Sequence, residues 1–382
     1  MKRTIYLDHA AATPLDPAVI KIMEPYLSQE FYNPASPYEL AVKTKATLND
    51  AKKKIATCLG VKQSEVIITS GGSESNNLAI RGVMQQFPGH KVLVTAIEHE
   101  SILEPAKEFD HQLIAVDREG IVDLKKLENQ IDDGVVLISV MQANNEVGSV
   151  QPLREIAQLI DRAKAMRKAR GIKVPLYFHS DGCQAPQYLD IHPHRMGLDL
   201  YTLNSGKIYG PKQVGLLYIG SKISLIPQIR GGGQQHGIRS GTESVGNTVG
   251  LAEALAISQN QKKQEVDRLR ILQDKFISGL EKLGKGIQIN GPKAKKRLPA
   301  NLHITVPGVD NERLIYELDE YGIMVASGSA CNASSKEPSH VLKAMGRSDK
   351  EAQSSIRITM GRSTSPSDVD YCLEVFCKLL SG

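Results

Sequence analysis

The segment VPLYFHSDGCQ (residues 174–184) is an apolar run that ends in polar residues, and LDLYTLNSGK (198–207) has the same form. HKVLVTAIEHES (90–101) and GVVLISVMQANNEVG (134–148) show this pattern earlier in the chain. The stretches between these runs have a helical period. Short strands that are apolar on both faces and alternate with helices predict an α/β fold with a mostly parallel sheet covered on both sides.

The polar residues that end these strands are expected to lie together, because open parallel sheets bind ligands outside the carboxyl ends of their strands. These ends supply His99, Asp181 and Lys207. TSGGSESNN (69–77), here called the phosphate turn, follows a further strand. A Gly/Ser turn that opens a helix presents backbone N–H groups and suits a phosphate. It lacks the Walker A and GxGxxG patterns, so taken alone it also fits an ordinary capped helix.

Lysine and aspartate at neighbouring strand ends, with a phosphate turn, match the needs of pyridoxal phosphate. Lys207 can form a Schiff base, Asp181 can keep the pyridine nitrogen protonated, and His99 can stack on the ring. Singly, each residue also has an ordinary explanation, as a surface charge, a helix cap or a structural histidine.

Cys331 lies in ASGSACNASS (326–335), a run of small and polar residues. Buried structural cysteines usually lie among larger apolar residues, and an exposed thiol invites oxidation. The pattern therefore indicates a candidate nucleophile, although it is a weak signal by itself.

The composition excludes several classes of protein. The 382 residues, 41% hydrophobic and 23% charged, fit a globular chain with room for two domains. A net charge of +5 is too small for a nucleic-acid footprint, and the basic runs 162–171 and 293–297 fit solvated faces. No run of 18 apolar residues predicts a membrane span. Five cysteines without metal-ligand spacing, and no apparent secretory signal, favour a reducing cytoplasm.

The ordered motifs make the chain resemble the cysteine desulfurase family nearly end to end. The resemblance implies an aspartate-aminotransferase-like fold (pyridoxal-phosphate fold type I) with a mostly parallel seven-stranded sheet. It implies a large domain over 15–255 and a smaller α+β domain from 1–14 and 256–382, which contains the cysteine loop. The motifs are YLDHAAATP, YNPAS, TSGGSESNN, IEHES, NNEVG, SDGCQ, KIYGPK, GGGQQHGIRSGT, SGSAC and SSIRITMGR.

The resemblance also implies residue roles. Lys207 would hold the cofactor and act as base, His99 would stack on the ring, and Asp181 would hold the pyridine nitrogen. Arg357 would bind the substrate carboxylate through a bidentate guanidinium, and Cys331 would receive the sulfur. The other implied contacts are Asn33 with the substrate, Asn145 and Gln184 near the phenolic oxygen, Gly72, Ser73 and Ser205 with the phosphate, and Thr242 with the phosphate of the partner subunit in a homodimer.

The sequence departs from the family beside the lysine. The family usually has Ser-Gly-His-Lys or Ser-Ala-His-Lys there, whereas this chain has Asn204, Ser205, Gly206 and Lys207. Gly206 replaces a histidine that usually contacts the phosphate, and the serine is displaced by one position. We expect Asn204 and Ser205 to replace the missing contact with the phosphate, so that the cofactor still binds.

The implied activity is that of a cysteine desulfurase, which converts L-cysteine to L-alanine and passes sulfur to an acceptor, an iron–sulfur scaffold or a thiolation enzyme. Selenocysteine lyase is an alternative, because fold and substrate class are shared. Another class V pyridoxal-phosphate enzyme, such as an aminotransferase, would have no use for Cys331. A degenerate sulfur-relay subunit fits less well, because Lys207, Asp181, Arg357 and Cys331 are all present.

Overall fold

A computed structural model describes residues 3–328 and 338–381, so the predictions about Cys331 fall outside the described residues. Its strands are β1 (Ile5–Tyr6), β2 (Val66–Thr69), β3 (Lys91–Thr95), β4 (Asp110–Ile114), β5 (Val135–Ser139), β6 (Tyr177–Asp181), β7 (Leu200–Asn204), β8 (Gly215–Ile219), β9 (Gln288–Asn290), β10 (Asn301–Thr305), β11 (Ile323–Met324) and β12 (Ser355–Thr359).

The main sheet has seven strands in the order β2-β8-β7-β6-β5-β3-β4. The five strands from β7 to β4 pair in parallel, whereas β8 runs antiparallel to both of its neighbours. β5 and β8 are buried at every residue, which explains their continuous apolar sequences. The predicted fold, a mostly parallel seven-stranded sheet, is confirmed.

Helices cover both faces of this sheet. Gly60, at φ 66°, ends the longest helix before the sheet, because a left-handed residue stops helical hydrogen bonding. The helices are α1 (Pro17–Met23), α2 (Pro25–Ser28), α3 (Glu39–Leu59), α4 (Gly72–Met84), α5 (Glu100–Ala106), α6 (Leu124–Gln130), α7 (Leu153–Ala169), α8 (Pro193–Met196), α9 (Val245–Leu283), α10 (Asn311–Glu320), α11 (His340–Ala344), α12 (Asp349–Ala352) and α13 (Pro366–Ser381).

A second layer contains the antiparallel sheet β12-β10-β9 and the parallel pair β1-β11. Its apolar core is separate from that of the main sheet and includes Ile5 and Leu7 from the N-terminal strand. Phe276 of α9 meets Phe376 of α13 edge to face in this core, with ring centroids 6.3 Å apart. The separate core supports the proposed division into 15–255 and the two flanking segments, whose limits remain a prediction.

The apolar runs did not identify two strands of the main sheet, β4 and the antiparallel β8. The helix α9 begins at Val245 and is 39 residues long. Within 3–328 and 338–381, no helix is long and apolar enough to cross a membrane.

Candidate active site

A cavity of about 210 Å³ lies at the carboxyl ends of β6 and β7. The predicted clustering of strand ends is therefore observed, although the strand ends meet residues from the N-terminal segment and from β12. The lining residues are Ala10, Ala11, Gly72, Ser73, Asn76, His99, Ser101, Met141, Ala143, Asn145, Asp181, Cys183, Gln184, Asn204, Lys207 and Arg357.

Asp181 is the last residue of β6, and it is 7% exposed. Its Oδ2 accepts a hydrogen bond from Asn76 Nδ2 at 2.7 Å, and its Oδ1 accepts one from the Cys183 backbone N–H at 2.8 Å. A buried carboxylate held in this way is oriented for a cationic partner. Asn76 was not identified from the sequence; its position one turn into α4, facing β6, could have indicated it.

His99 caps the N-terminus of α5. Its Nδ1 accepts the Ser101 backbone N–H at 3.1 Å and lies 2.9 Å from the Ser101 hydroxyl. Because Nδ1 accepts a hydrogen bond, the proton of the neutral imidazole is assigned to Nε2. Asn76 also donates to the Ser101 hydroxyl, at 2.9 Å, so His99 and Asp181 are linked through two side chains.

Two buried titratable groups lie beneath these residues. Burial, reinforced by the charge of Asp181, raises the pKa of Glu98 to about 8. Burial lowers the pKa of His179 to about 4. His179 lies between the hydroxyls of Ser139 and Thr202, at 2.9 and 3.1 Å. Burial therefore favours the neutral form of both groups.

Lys207 lies in the short helical turn Ser205–Lys207 that follows β7. Its Nζ donates to the carbonyl oxygens of Ala10 and Ala11, at 2.8 and 2.5 Å. Gln184 Nε2 donates to the same Ala10 carbonyl at 3.1 Å. The N-terminal segment therefore fixes the amine in the cavity.

The phosphate turn forms one end of the cavity. Gly71 has φ 148°, which favours glycine, and a Cβ on Gly72 would lie 2.9 Å from the Cys183 sulfur. The start of the 13-residue helix α4 is therefore bare backbone, as an anion site requires. A second, adjoining cavity lies against the same turn and includes Gly206 and Lys212.

Asn204 and Ser205, which precede Lys207 in the chain, lie in different surroundings. Asn204 lines both cavities, and its Oδ1 accepts the Gly206 backbone N–H at 3.0 Å. Ser205 is fully buried and lines neither cavity; its hydroxyl faces Gly210 and has no hydrogen-bond partner in the described part of the chain. The Ser205 hydroxyl therefore points into the protein in this structure, and the phosphate contact expected of Ser205 stays a prediction.

Arg357 enters the cavity from β12 with 1% of its side chain exposed. Its Nη2 donates to Asp8 Oδ1 at 2.7 Å, and its Nη1 lies 3.4 Å from the Asn145 carbonyl oxygen. Its Nε has no partner among residues 3–328 and 338–381. The guanidinium keeps donor capacity for a further anion, which fits a substrate carboxylate.

Two predicted contacts lie elsewhere. Asn33 is exposed, and its Oδ1 accepts the Ala35 backbone N–H at 3.0 Å. Thr242 is exposed as well. Neither lines the cavity, so both roles remain predictions, as do those of the other residues carried over by resemblance.

The cavity combines a lysine amine, a buried carboxylate, a cap histidine and a glycine-edged helix N-terminus. These groups fit pyridoxal phosphate: Lys207 for the aldehyde carbon, Asp181 for the ring nitrogen and the phosphate turn for the phosphate. The fold and the site together define a pyridoxal-phosphate enzyme of fold type I.

Comparisons with known proteins define the family. The sequence matches the family described as aminotransferase class-V over residues 5–372. Cysteine desulfurase IscS of Dictyoglomus turgidum is 37% identical, covering 100% of this chain and 95% of that protein. A NifS-like protein from Rickettsia africae has a structure with TM-score 0.88 at 30% identity, covering 100% of both chains. The structure of SspA in complex with cysteine has TM-score 0.77 at 30% identity, covering 94% of this chain and 99% of that one. This chain belongs to the cysteine desulfurase family of class-V aminotransferases.

Proposed function

We propose that this protein is a pyridoxal-phosphate-dependent cysteine desulfurase, which takes sulfur from L-cysteine, releases L-alanine and holds the sulfur as a persulfide on Cys331. One observation carries the proposal: a single cavity brings the amine of Lys207 together with the buried guanidinium of Arg357. An α-amino acid needs both, an amine to move its α-proton and a guanidinium to bind its carboxylate. The names of the relatives support cysteine as the substrate.

When bound, pyridoxal phosphate withdraws electrons from the α-carbon of the amino acid. Lys207 Nζ takes the α-proton, and Arg357 orients the carboxylate. With the cofactor bound, Asp181 would keep a proton on the pyridine nitrogen, and the imidazole of His99 would lie against the ring. Gln184 and Asn145 line the same cavity and would contact the cofactor on the side of its phenolic oxygen.

The sulfur step belongs to Cys331. Its thiolate attacks the substrate sulfur, so an S–S bond forms and the C–S bond breaks. The electron pair of the broken bond stays on the β-carbon, which takes up a proton. A proton also returns to the α-carbon from Lys207, and the product leaves as L-alanine. The persulfide then passes its outer sulfur to an acceptor protein, an iron–sulfur scaffold or a thiolation enzyme.

We further propose a cytoplasmic homodimer. Leu27 and Phe31 expose 73% and 70% of their surface near the N-terminus, and a second copy can cover such apolar side chains. An exposed Thr242 suits a residue that completes the partner's phosphate site. A reducing compartment fits the cysteines of the described ranges, which form no disulfide.

The test measures alanine and sulfide released from L-cysteine in the presence of a thiol reductant. Wild type is expected to release both in equal amounts. Cys331→Ala should keep the visible absorbance of the bound cofactor and lose alanine release. Lys207→Ala should lose both. Cys377→Ala, which removes an exposed cysteine of the described part of the chain, is the matched control and should behave as wild type.

Unchanged turnover in Cys331→Ala would remove the desulfurase proposal. A much faster turnover of selenocysteine than of cysteine, independent of Cys331, would instead favour the lyase alternative.

A further inference from the structure

Glu146 follows Asn145, a lining residue of the cavity, and is 1% exposed. The backbone N–H groups of Glu146 and Val147 both donate to Asn144 Oδ1, at 2.9 Å each. The turn is therefore rigid, and the Glu146 carboxylate has a fixed position behind the cavity wall. Nothing in the reaction described above uses this carboxylate.

Residues on both sides of the segment 329–337 lie close to the same oxygen of Glu146. Ser339 Oγ donates to Glu146 Oε2 at 2.6 Å. From the other side, a Cβ built on the buried Gly328 would lie 3.3 Å from this Oε2. Gly328 and Ser339 flank the segment 329–337, which contains Cys331. We call this arrangement of Gly328, Glu146 and Ser339 the Glu146 clasp.

Further contacts tie the clasp to the active site. Ala326 and Arg357 exchange backbone hydrogen bonds of 3.2 and 2.6 Å, so the chain entering the clasp lies beside the residue for the substrate carboxylate. On the other side, His340 Nε2 lies 2.9 Å from the Glu98 carbonyl oxygen, one residue before His99. The residues on both sides of the segment 329–337 are therefore hydrogen-bonded to residues in or next to the cavity wall.

We propose that Glu146 is a positioning residue for sulfur transfer: its carboxylate accepts a hydrogen bond from Ser339 and lies against Gly328, the residues on either side of the segment that contains Cys331. The proposal rests on the proposed function. A hydrogen bond to a buried carboxylate is charge-assisted and stronger than a neutral one. Its loss would displace the flanks and slow the attack of Cys331, without changing the binding of cofactor or substrate.

Ser339 allows a sharp test because it has two roles. Besides donating to Glu146, its Oγ accepts the Leu342 backbone N–H at 3.3 Å and caps α11. Ser339→Ala loses both contacts. Ser339→Asp keeps a capping acceptor but places a second carboxylate against Glu146, and Ser339→Thr keeps both contacts. Ser348→Ala removes the equivalent cap of α12, where the serine hydroxyl pairs with Glu351, and serves as matched control.

The experiment measures kcat and KM for alanine formation from L-cysteine with the cofactor-loaded full chain. Ser339→Ala and Ser339→Asp should lower kcat about tenfold, the effect of one charge-assisted hydrogen bond, and leave KM and the cofactor absorbance unchanged. Ser339→Thr and Ser348→Ala should retain the wild-type kcat. Combining Glu146→Gln with Ser339→Ala should lower kcat no further than the stronger single change.

A wild-type kcat in Ser339→Asp, an equal loss in Ser348→Ala, or additive losses in the double variant would overturn the proposal. The alkylation rate of Cys331 by iodoacetamide, relative to that of Cys377, gives a readout that does not depend on turnover. The ratio should change in Ser339→Asp, and an unchanged ratio also contradicts the clasp. If wild type releases no alanine from cysteine, the proposed function fails, while this ratio still tests the clasp.

Discussion

Two cations of the cavity, Lys207 and Arg357, are both held by the N-terminal segment. The carbonyl of Ala10 accepts from Lys207, and the carboxylate of Asp8 pairs with Arg357. Asp8 therefore neutralises a guanidinium that is 1% exposed, and a substrate carboxylate bound there as proposed would have to share or displace Asp8. Asp8, in this segment, therefore affects how strongly the cavity attracts an anion.

The substitution Asp8→Asn removes the negative charge of the carboxylate and nearly preserves the shape of the side chain. Because a buried arginine loses its ionic partner, we expect the free energy of unfolding to fall by about 2 kcal/mol, with Asp8 itself partly exposed. L-alanine should then stabilise the variant more than wild type, since its carboxylate meets no competitor. Urea unfolding with and without L-alanine measures both effects.

Asp16→Asn is the matched control, because Asp16 pairs with Arg362 at 2.8 Å at similar exposure and lines no part of the cavity. Equal stabilisation by L-alanine in the two variants and in wild type would contradict the role given to Asp8.

Gly206 leaves the phosphate end of the site without the usual histidine, and Lys212 lines the adjoining cavity there. We expect Lys212→Ala to weaken the binding of pyridoxal phosphate about fivefold, the scale of one exposed ion pair. Pyridoxal, which lacks the phosphate, should bind as in wild type. Titration by absorbance measures both affinities, and Lys222→Ala, another exposed lysine, is the control. Equal losses for both ligands would exclude a phosphate contact.

At the scale of elements, the connection from β3 to α5 links the main sheet to the cap histidine, His99. Glu98, one residue before His99, accepts hydrogen bonds through Oε1 from the Thr95 hydroxyl at 2.8 Å and the Met141 backbone N–H at 2.6 Å. The carboxyl group therefore joins the ends of β3 and β5 below the cavity. Its other oxygen has no partner among the described residues.

The substitution Glu98→Gln tests how the buried carboxyl group changes the free energy of unfolding with pH. The pKa of Glu98 rises from an ordinary 4.5 to about 8 on folding. The folded state then binds this proton more tightly than the unfolded state, so the Glu98 contribution to stability is present below about pH 4.5 and is lost as the pH rises to about 8. Since glutamine does not titrate, the variant should gain stability relative to wild type across this window.

Urea unfolding at a series of pH values measures this difference. Thr95→Val removes a neutral partner but keeps the carboxyl group, so its difference from wild type should vary less with pH. A pH-independent difference for Glu98→Gln would show that Glu98 keeps an ordinary pKa in the folded protein.

At the scale of the whole molecule, the site lies where two separate cores meet. The main sheet supplies Asp181 and Lys207, whereas Arg357 comes from the three-stranded sheet of the second layer. The N-terminal strand β1 packs in the second core and then leads into the cavity wall. Cofactor residues and substrate residues therefore depend on how the two layers pack.

The proposed homodimer gives a prediction at this scale. Phe31→Glu places a charge on the exposed apolar surface near α2 and should convert the dimer to a monomer, because a buried unpaired charge is costly at an interface. Sedimentation measures the mass, and absorbance titration should show weaker cofactor binding once Thr242 of the partner is absent. Ile271→Glu is the control, since Ile271 on α9 is equally exposed, at 69%. Dissociation by both changes, or by neither, would contradict the proposed surface.

Local patterns in the sequence predicted a mostly parallel sheet, the gathering of His99, Asp181 and Lys207 at its strand ends, and the phosphate turn. These follow from local patterns, because an apolar strand and the polar residue that ends it are neighbours in the chain. Gly206 was likewise visible as a departure in a short motif. The inward direction of the Ser205 hydroxyl was not, since it depends on the packing of Gly210 against it.

The residues that meet from distant parts of the chain became visible only in the folded structure. Asp8 meets Arg357 across 349 residues, and Glu146 meets Ser339 across 193. Such pairs arise from the packing of the N-terminal segment and the second layer against the main sheet. No local periodicity encodes them, because hydrophobic burial fixes which layers meet but not which buried polar groups then face each other.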